Sequence, residues 1–312
     1  MPFDEWQSFK DVKVERQNSS NIKRRYSVTA DILSFRRCPR QYGYNVRKNF
    51  VPARPLQEFV GTVVHQVLDR AHNHYSGKID ESLRNTVPSD DEIEKYFMEV
   101  EESLKSSGVR AVSGRIRDDY LEIVKRFNRI EGPRLYPRVK DTEHRLEKDE
   151  GKYVIHGVVD VLVGEEVGNG NNQVEIWDYK GTKRPENNSS GNKILQDYLF
   201  QMQVYMYLYK EKNGSYPSKG VIYFLGELGG QVVPTSRPSN AIFEVDFNPS
   251  QLSSAIHQFK LTADEIESSI DAENWKPPSG GSKVASRATC DICDIRWTCR
   301  EEKGYYKTVP TP

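Results

Sequence analysis

Cysteine is scarce in this chain: four residues in 312. No uninterrupted apolar run approaches the roughly 18 to 20 residues that a membrane helix needs, so a helical membrane span is excluded and a soluble protein without membrane partners is expected. The opening "MPFDEWQSFKDVKVERQ" lacks the basic, apolar, small-residue order of a secretory signal. A reducing, cytoplasmic setting is therefore expected, and there metal ligation outranks disulfides as a use for cysteine. No repeat of fixed period appears. Formal net charge is also absent, with 45 Lys and Arg balancing 45 Asp and Glu.

The charge that is present is unevenly spread. Lys23, Arg24, Arg25, Arg36, Arg37, Arg40, Arg47 and Lys48 crowd one segment, interleaved with Tyr26, Phe35, Tyr42, Tyr44 and Phe50. Cations that hold phosphate beside rings that stack on bases suit single-stranded nucleic acid. Acidic residues gather in "SDDEIEKYFMEVEES", and a solvated helical face is the ordinary alternative for both runs.

Periodicity divides the chain further. Residues 1–27 read as a leader and 301–312 as a tail, with a single domain over 28–300 between them. A helix is expected from near Thr29, stopping before Pro39 and carrying Cys38 at its end. After "VPARP", residues Val60, Val63, Val64, Val67, Leu68 and Ala71 recur at helical spacing. The charged stretch 76–138 reads as a helical insertion. "TEHRLEKDEGKYVIHGVVDVLVG" and "QVEIWDYKG" read as neighbouring strands, and "TKRPENNSSGNK" as a loop before a helix from Ile194. "GVIYFLGELGGQVVP" reads as a hairpin, "AIFEVDF" as a strand and Pro249 to Ile270 as a helix. This order predicts an α/β fold, a mixed central sheet flanked by helices.

Chemistry concentrates on few residues. Strand alternation puts Asp178 and Lys180 on one face with Trp177 and Tyr179 on the other, and pairing with the preceding strand brings Asp160 to them. Two carboxylates offer oxygen to Mg²⁺ or Mn²⁺, and a neighbouring ammonium can neutralise charge on a phosphate, a set suited to phosphodiester hydrolysis. His65 stands at the edge of its helix's apolar stripe, where a lone histidine is more often structural than a ligand. As a ligand it would tilt preference toward Mn²⁺. Gln201 and Tyr205, one helical turn apart, can hydrogen-bond around the lysine. Cys290, Cys293 and Cys299 lie close in "TCDICDIRWTC", far from Cys38. Their spacing leaves tetrahedral zinc and an iron–sulfur cluster both open.

Taken in order, "CPRQYGY", "GTVVHQVLD", "GVVDVLV", "EIWDYKGTK", "QMQVY" and "CDICDIRWTC" resemble the motifs of PD-(D/E)XK nucleases of RecB type that carry an iron–sulfur cluster, particularly the CRISPR-associated exonucleases of spacer acquisition. The resemblance spans about Ser27 to Cys299. It implies a restriction-endonuclease-like core with His65, Asp160 and Asp178 as metal ligands and Lys180 as the catalytic lysine. It also implies a [4Fe–4S] cluster on Cys38, Cys290, Cys293 and Cys299, clasping the N- and C-terminal segments together. The expected activity is a Mg²⁺- or Mn²⁺-dependent deoxyribonuclease working from single-stranded DNA ends, in CRISPR adaptation beside integrase proteins or in DNA repair. The segment 76–138 is longer than a compact member of that family would carry. The alternatives are a non-catalytic module that binds DNA or an integrase, and a nuclease of RNA.

Overall fold

The computed structural model describes residues 23–47, 56–166, 172–275, 285, 287–291, 293–296 and 299. The expected leader up to residue 22, the "VPARP" break and the 301–312 tail lie outside them. So do Lys48 and Phe50.

A short strand, β1 (Arg24–Ser27), runs into a π-helical turn and then α1 (Ser34–Arg37), so Cys38 falls at the helix end as expected. Helices α2 (Pro39–Arg47) and α3 (Leu56–Tyr75) follow. Next come α4 (Asp90–Ser106), opened by a Ser89–Glu92 capping box, and α5 (Gly114–Leu135), capped by Ser113. Strands β2 (Val139–Asp149), β3 (Tyr153–Glu166) and β4 (Asn172–Lys180) lead to α6 (Ser189–Asn213). After β5 (Lys219–Phe224) and β6 (Ile242–Asp246) the chain ends in α7 (Pro249–Asp271) and α8 (Arg287–Asp291).

Two expectations need correction. Helix α6 begins at Ser189, not Ile194, because Asn188 supplies a cap by accepting from the Gly191 amide at 2.8 Å. The stretch after β5 is no hairpin: it closes in a 3₁₀ turn at Leu225–Leu228, and β5 pairs antiparallel with β6 instead. Gly226 docks that turn by donating to the Thr182 carbonyl at 3.1 Å.

Among the described residues six strands form one mixed sheet, ordered β1-β3-β4-β5-β6 with β2 also on β3. Strand β2 pairs along β3 from Val154 to Val163, which occupies one edge. The other edge is shared: β1 takes Tyr153 to His156 and β4 takes Val161 to Glu166. Gly157 to Asp160 are left between the two on that edge.

A hydrophobic layer covers each face. Ile155, Val159, Leu162, Ile176, Ile222 and Phe224 pack under α6 and α7, with Val204, Leu208 and Phe259 among the helix residues. Val161, Val163, Trp177, Tyr179, Val221 and Tyr223 pack under α3, α4 and α5. The 76–138 helices thus supply much of one sheet covering, through Phe97, Val100, Val124 and Phe127. Strict alternation would put Val159 and Leu162, three apart, on opposite faces, yet both belong to the same core. The phase slips at Asp160, and Glu143, the residue opposite, has the left-handed φ of 48°. A side chain rarely accepts that conformation, so the backbone is strained where β2 and β3 flank the site.

Candidate active site

Each element delivers one or two polar groups to the open edge of β3. Beyond Trp177, which is still paired to Val161, β4 parts from β3 and follows β5 alone, with Asp178 opposite Ile222 and Lys180 opposite Phe224. The amide freed by this parting is not orphaned. Tyr179 donates it to Asp160 Oδ2 at 2.6 Å, so a carboxylate replaces the ladder bond. Asp160 Oδ1 lies 3.1 Å from His65 Nδ1 on α3.

The expected pairing on β4 is present. Lys180 Nζ lies 2.6 Å from Asp178 Oδ2 and donates to Gln201 Oε1 at 2.8 Å. Gln201 donates in turn from Nε2 to Tyr205 Oη at 2.8 Å and to Asp178 Oδ1 at 3.2 Å. Gly157 makes room for this helix face, since a Cβ there would meet the Tyr205 ring at 2.6 Å. Gly61, by contrast, has open space where a Cβ would stand: it faces the cleft and admits no neighbouring backbone.

The cleft, about 560 Å³, is lined by Gly61, Thr62, His65, Gln66, Asp69, Glu143 and Asp160. Among the described residues one group offers three ligand atoms within 4.8 Å of one another: His65, Glu143 and Asp160. Glu143 was not foreseen. It lies in "TEHRLEKDE", where charged residues are so frequent that none stands out, and the pairing of β2 with β3 brings it, still exposed, to the cleft beside Asp160. Asp178 stands outside this tight group, engaged by Lys180 and Gln201. One imidazole with carboxylate oxygens fits Mn²⁺ or Mg²⁺ by donor type.

Charge regulation divides the groups. Burial by itself would raise the Asp160 carboxyl, but His65, the Tyr179 amide and Lys180 hold it below the ordinary carboxylate range. Asp178 goes the other way: burial pushes it up, opposed by Lys180 and reinforced by the charge of Asp160. Glu143 is likewise raised, by burial and then by Asp160. Burial disfavours the His65 cation, yet Asp160 outweighs it and His65 is pushed up to about 9. Three crowded carboxyl groups with mixed shifts are what an absent divalent charge would relieve.

Behind the strand, Tyr179 is held by a second histidine that the sequence did not single out. His72 Nε2 lies 3.1 Å from Tyr179 Oη, and burial pushes His72 down to about 3. Neutral His72 and Tyr179 thus carry two polar protons and share one hydrogen bond.

Away from the cleft, Cys38, Cys290, Cys293 and Cys299 line one small cavity between the start of α2 and the 285–299 segment, and none is in a disulfide. The Cys38 sulfur accepts from the Gln41 amide at 3.5 Å. Burial pushes the Cys293 thiol up, with Cys38 and Cys299 adding to it. No three of the four sulfurs lie within 4.8 Å of one another.

The basic segment is partly spent within the protein. Lys23 pairs with Asp149 at 2.5 Å, Arg25 with Glu147 at 2.7 Å, and Arg24 with Glu267. Arg36 donates to Thr262 Oγ1 at 2.9 Å and the Gln258 carbonyl at 2.8 Å, and lies over the Phe200 ring. Four of the cations read as a strand-binding track therefore tie β1 and α1 to β2 and α7.

The sequence and the fold both have counterparts among known proteins. The family model described as the PD-(D/E)XK nuclease superfamily matches residues 26–300. A solved protein of Eubacterium rectale that carries the provisional name of exonuclease is 12% identical, covers 88% of this chain and 87% of its own, and superposes with a TM-score of 0.52, a likeness of fold. The solved protein SSO0001 is 14% identical over 95% of this chain and 92% of its own, with a TM-score of 0.39. No curated protein matches the sequence.

Proposed function

The chain belongs to the PD-(D/E)XK nuclease superfamily, and on that premise we propose that it is a RecB-type, metal-dependent DNA exonuclease acting on single-stranded ends, in CRISPR spacer acquisition or DNA repair. The observation that carries the reading is the convergence of Asp178 and Lys180, 2.6 Å apart, with Asp160 bound to the amide between them and to His65. A non-catalytic module would have no need to keep every charged member of this set.

His65, Glu143 and Asp160 are the groups that would hold Mn²⁺ or Mg²⁺ in the cleft, with Asp178 beside them. Such an ion supplies Lewis acidity at a phosphoryl oxygen and a more acidic water. The chain's own contribution is positioning and charge. Asp160 is ionised and fixed through both oxygens. Lys180 holds a positive charge where a phosphate oxygen gains negative charge: burial disfavours its ammonium, but Asp178 more than offsets this. Gln201 orients that ammonium and is itself oriented by Tyr205.

The four cysteines are assigned to a [4Fe–4S] cluster. A single zinc at about 2.3 Å from each sulfur would need sulfurs roughly 3.8 Å apart, whereas no three of these come within 4.8 Å of one another. A cubane seats each thiolate on its own iron, so wider spacing supports it. Its role is structural, fixing the 285–299 segment against the start of α2.

Anaerobically purified protein should shorten end-labelled single-stranded DNA with Mn²⁺ or Mg²⁺ and be inert in EDTA. Equal inertness toward single-stranded DNA, duplex DNA and RNA with either metal would overturn the proposal. Cleavage of RNA alone would overturn the choice of DNA.

A further inference from the structure

An ammonium has three N–H donors, and the surroundings of Lys180 satisfy them unequally. One donates to Gln201 Oε1 at 2.8 Å, and Asp178 Oδ2 lies 2.6 Å from the nitrogen as its ion-pair partner. On a further side the nitrogen lies 4.7 Å from the centroid of the Tyr198 ring. Tyr198 is on α6, three residues before Gln201, and thus on the same helix face. Its ring is braced by Phe224 of β5, with centroids 6.2 Å apart. Phe224 is also the register partner of Lys180, so the ring is fixed relative to the lysine by the sheet itself.

We propose that Tyr198 is a positioning residue for Lys180, holding its ammonium through the face of the ring. The inference rests on the nuclease reading for its consequence, though not for its geometry. A π face attracts a cation over a broad area, without the directional bond that a carboxylate would form. Lys180 is therefore kept in place while one N–H stays available to an oxygen arriving in the cleft. A third oxygen acceptor at that position would commit the donor. The aromatic face is the functional part of the side chain, and the phenol oxygen is not.

The distinction sets the test, made on the full chain with Tyr198→Phe and Tyr198→Leu. Tyr198 is partly buried, so both variants should keep the thermal midpoint of the parent. Tyr198→Leu should lower kcat on single-stranded DNA about tenfold, as loss of a desolvated cation–π contact implies, with KM unchanged. Tyr198→Phe should restore the parental kcat. In metal-free protein the Lys180 ε-methylene resonance should be shifted upfield by the ring current in the parent and in Tyr198→Phe, and should return to the ordinary lysine position in Tyr198→Leu. That spectrum does not depend on activity: a shifted resonance in a protein that cuts nothing would sink the nuclease reading and leave the contact standing. An ordinary lysine resonance in the parent, full kcat in Tyr198→Leu, or an equal loss in both variants would overturn the proposal.

Discussion

The cleft and the cysteine end use polar residues in opposite ways. At the cleft two carboxylates are already answered by other parts of the chain: Asp160 by His65 and a backbone amide, Asp178 by Lys180 and Gln201. These contacts are set by sheet register. At the cysteine end four sulfurs face one cavity from two distant parts of the sequence, yet no three approach within 4.8 Å. On the proposed reading the first region would use a metal for chemistry and the second a metal for structure.

The N-terminal segment is also anchored without the cysteines. Strand β1 is paired to β3, Tyr26 donates to Glu267 Oε1 at 2.7 Å, and Phe35 and Tyr42 pack on Trp275 at 6.5 and 5.9 Å between ring centroids. These anchors do not involve sulfur.

The comparison breaks first at the catalytic pair. Asp178→Asn should reduce cleavage by about a thousandfold or more, since removal of transition-state charge stabilisation costs several kcal/mol. It should still fold, with a lowered thermal midpoint, because Lys180 loses the carboxylate that offsets the burial of its ammonium. Retained cleavage would remove Asp178 from the site.

Cys38→Ser should act on the other region. It should lose bound iron and brown colour, and limited proteolysis should begin within 276–299 while β1 stays protected. Full iron content would refute the assignment, and loss of protection at β1 would show that the cysteines, not the β1 pairing and the aromatic packing, anchor the N-terminal segment. The same contrast predicts that EDTA abolishes cleavage with little change in thermal midpoint, whereas stripping iron lowers the midpoint.

Acid should weaken the fold from behind the cleft. His72 titrates near 3 in the folded protein and at about 6.5 when unfolded. Its contribution is complete above 6.5 and is lost as pH falls toward 3, because only the unfolded chain takes up the proton. At pH 5 this costs about 2 kcal/mol. Urea unfolding of His72→Gln between pH 7 and 5 should show a correspondingly flatter loss, and an unchanged slope would reject the linkage.

The smallest expected effect sharpens the ligand set. Glu143→Gln should raise the Mn²⁺ concentration for half-maximal activity about tenfold, in keeping with loss of one metal contact. Glu143→Gly should do the same while leaving stability equal or higher, because glycine accepts the φ of 48° without strain. Unchanged Mn²⁺ dependence in both would leave Glu143 a strained bystander.

Sequence periodicity alone determined the helices α3 and α7, the succession β2, β3, β4 and the side-by-side placement of Asp178 and Lys180, because these depend on spacing of 3.6 or 2 within one element. It also selected Asp160, His65, Gln201 and Tyr205, which the fold gathers from one strand and two helices. What lies between elements was decided only by tertiary structure. Strand alternation could not reveal that β3 shares one edge between β1 and β4, or that the phase slips at Asp160 and Glu143 of β2 stands beside it. Nor could a basic run tell whether Lys23, Arg24, Arg25 and Arg36 would face a ligand or the chain's own carboxylates and carbonyls, since charge has no period and its partner comes from more than a hundred residues away.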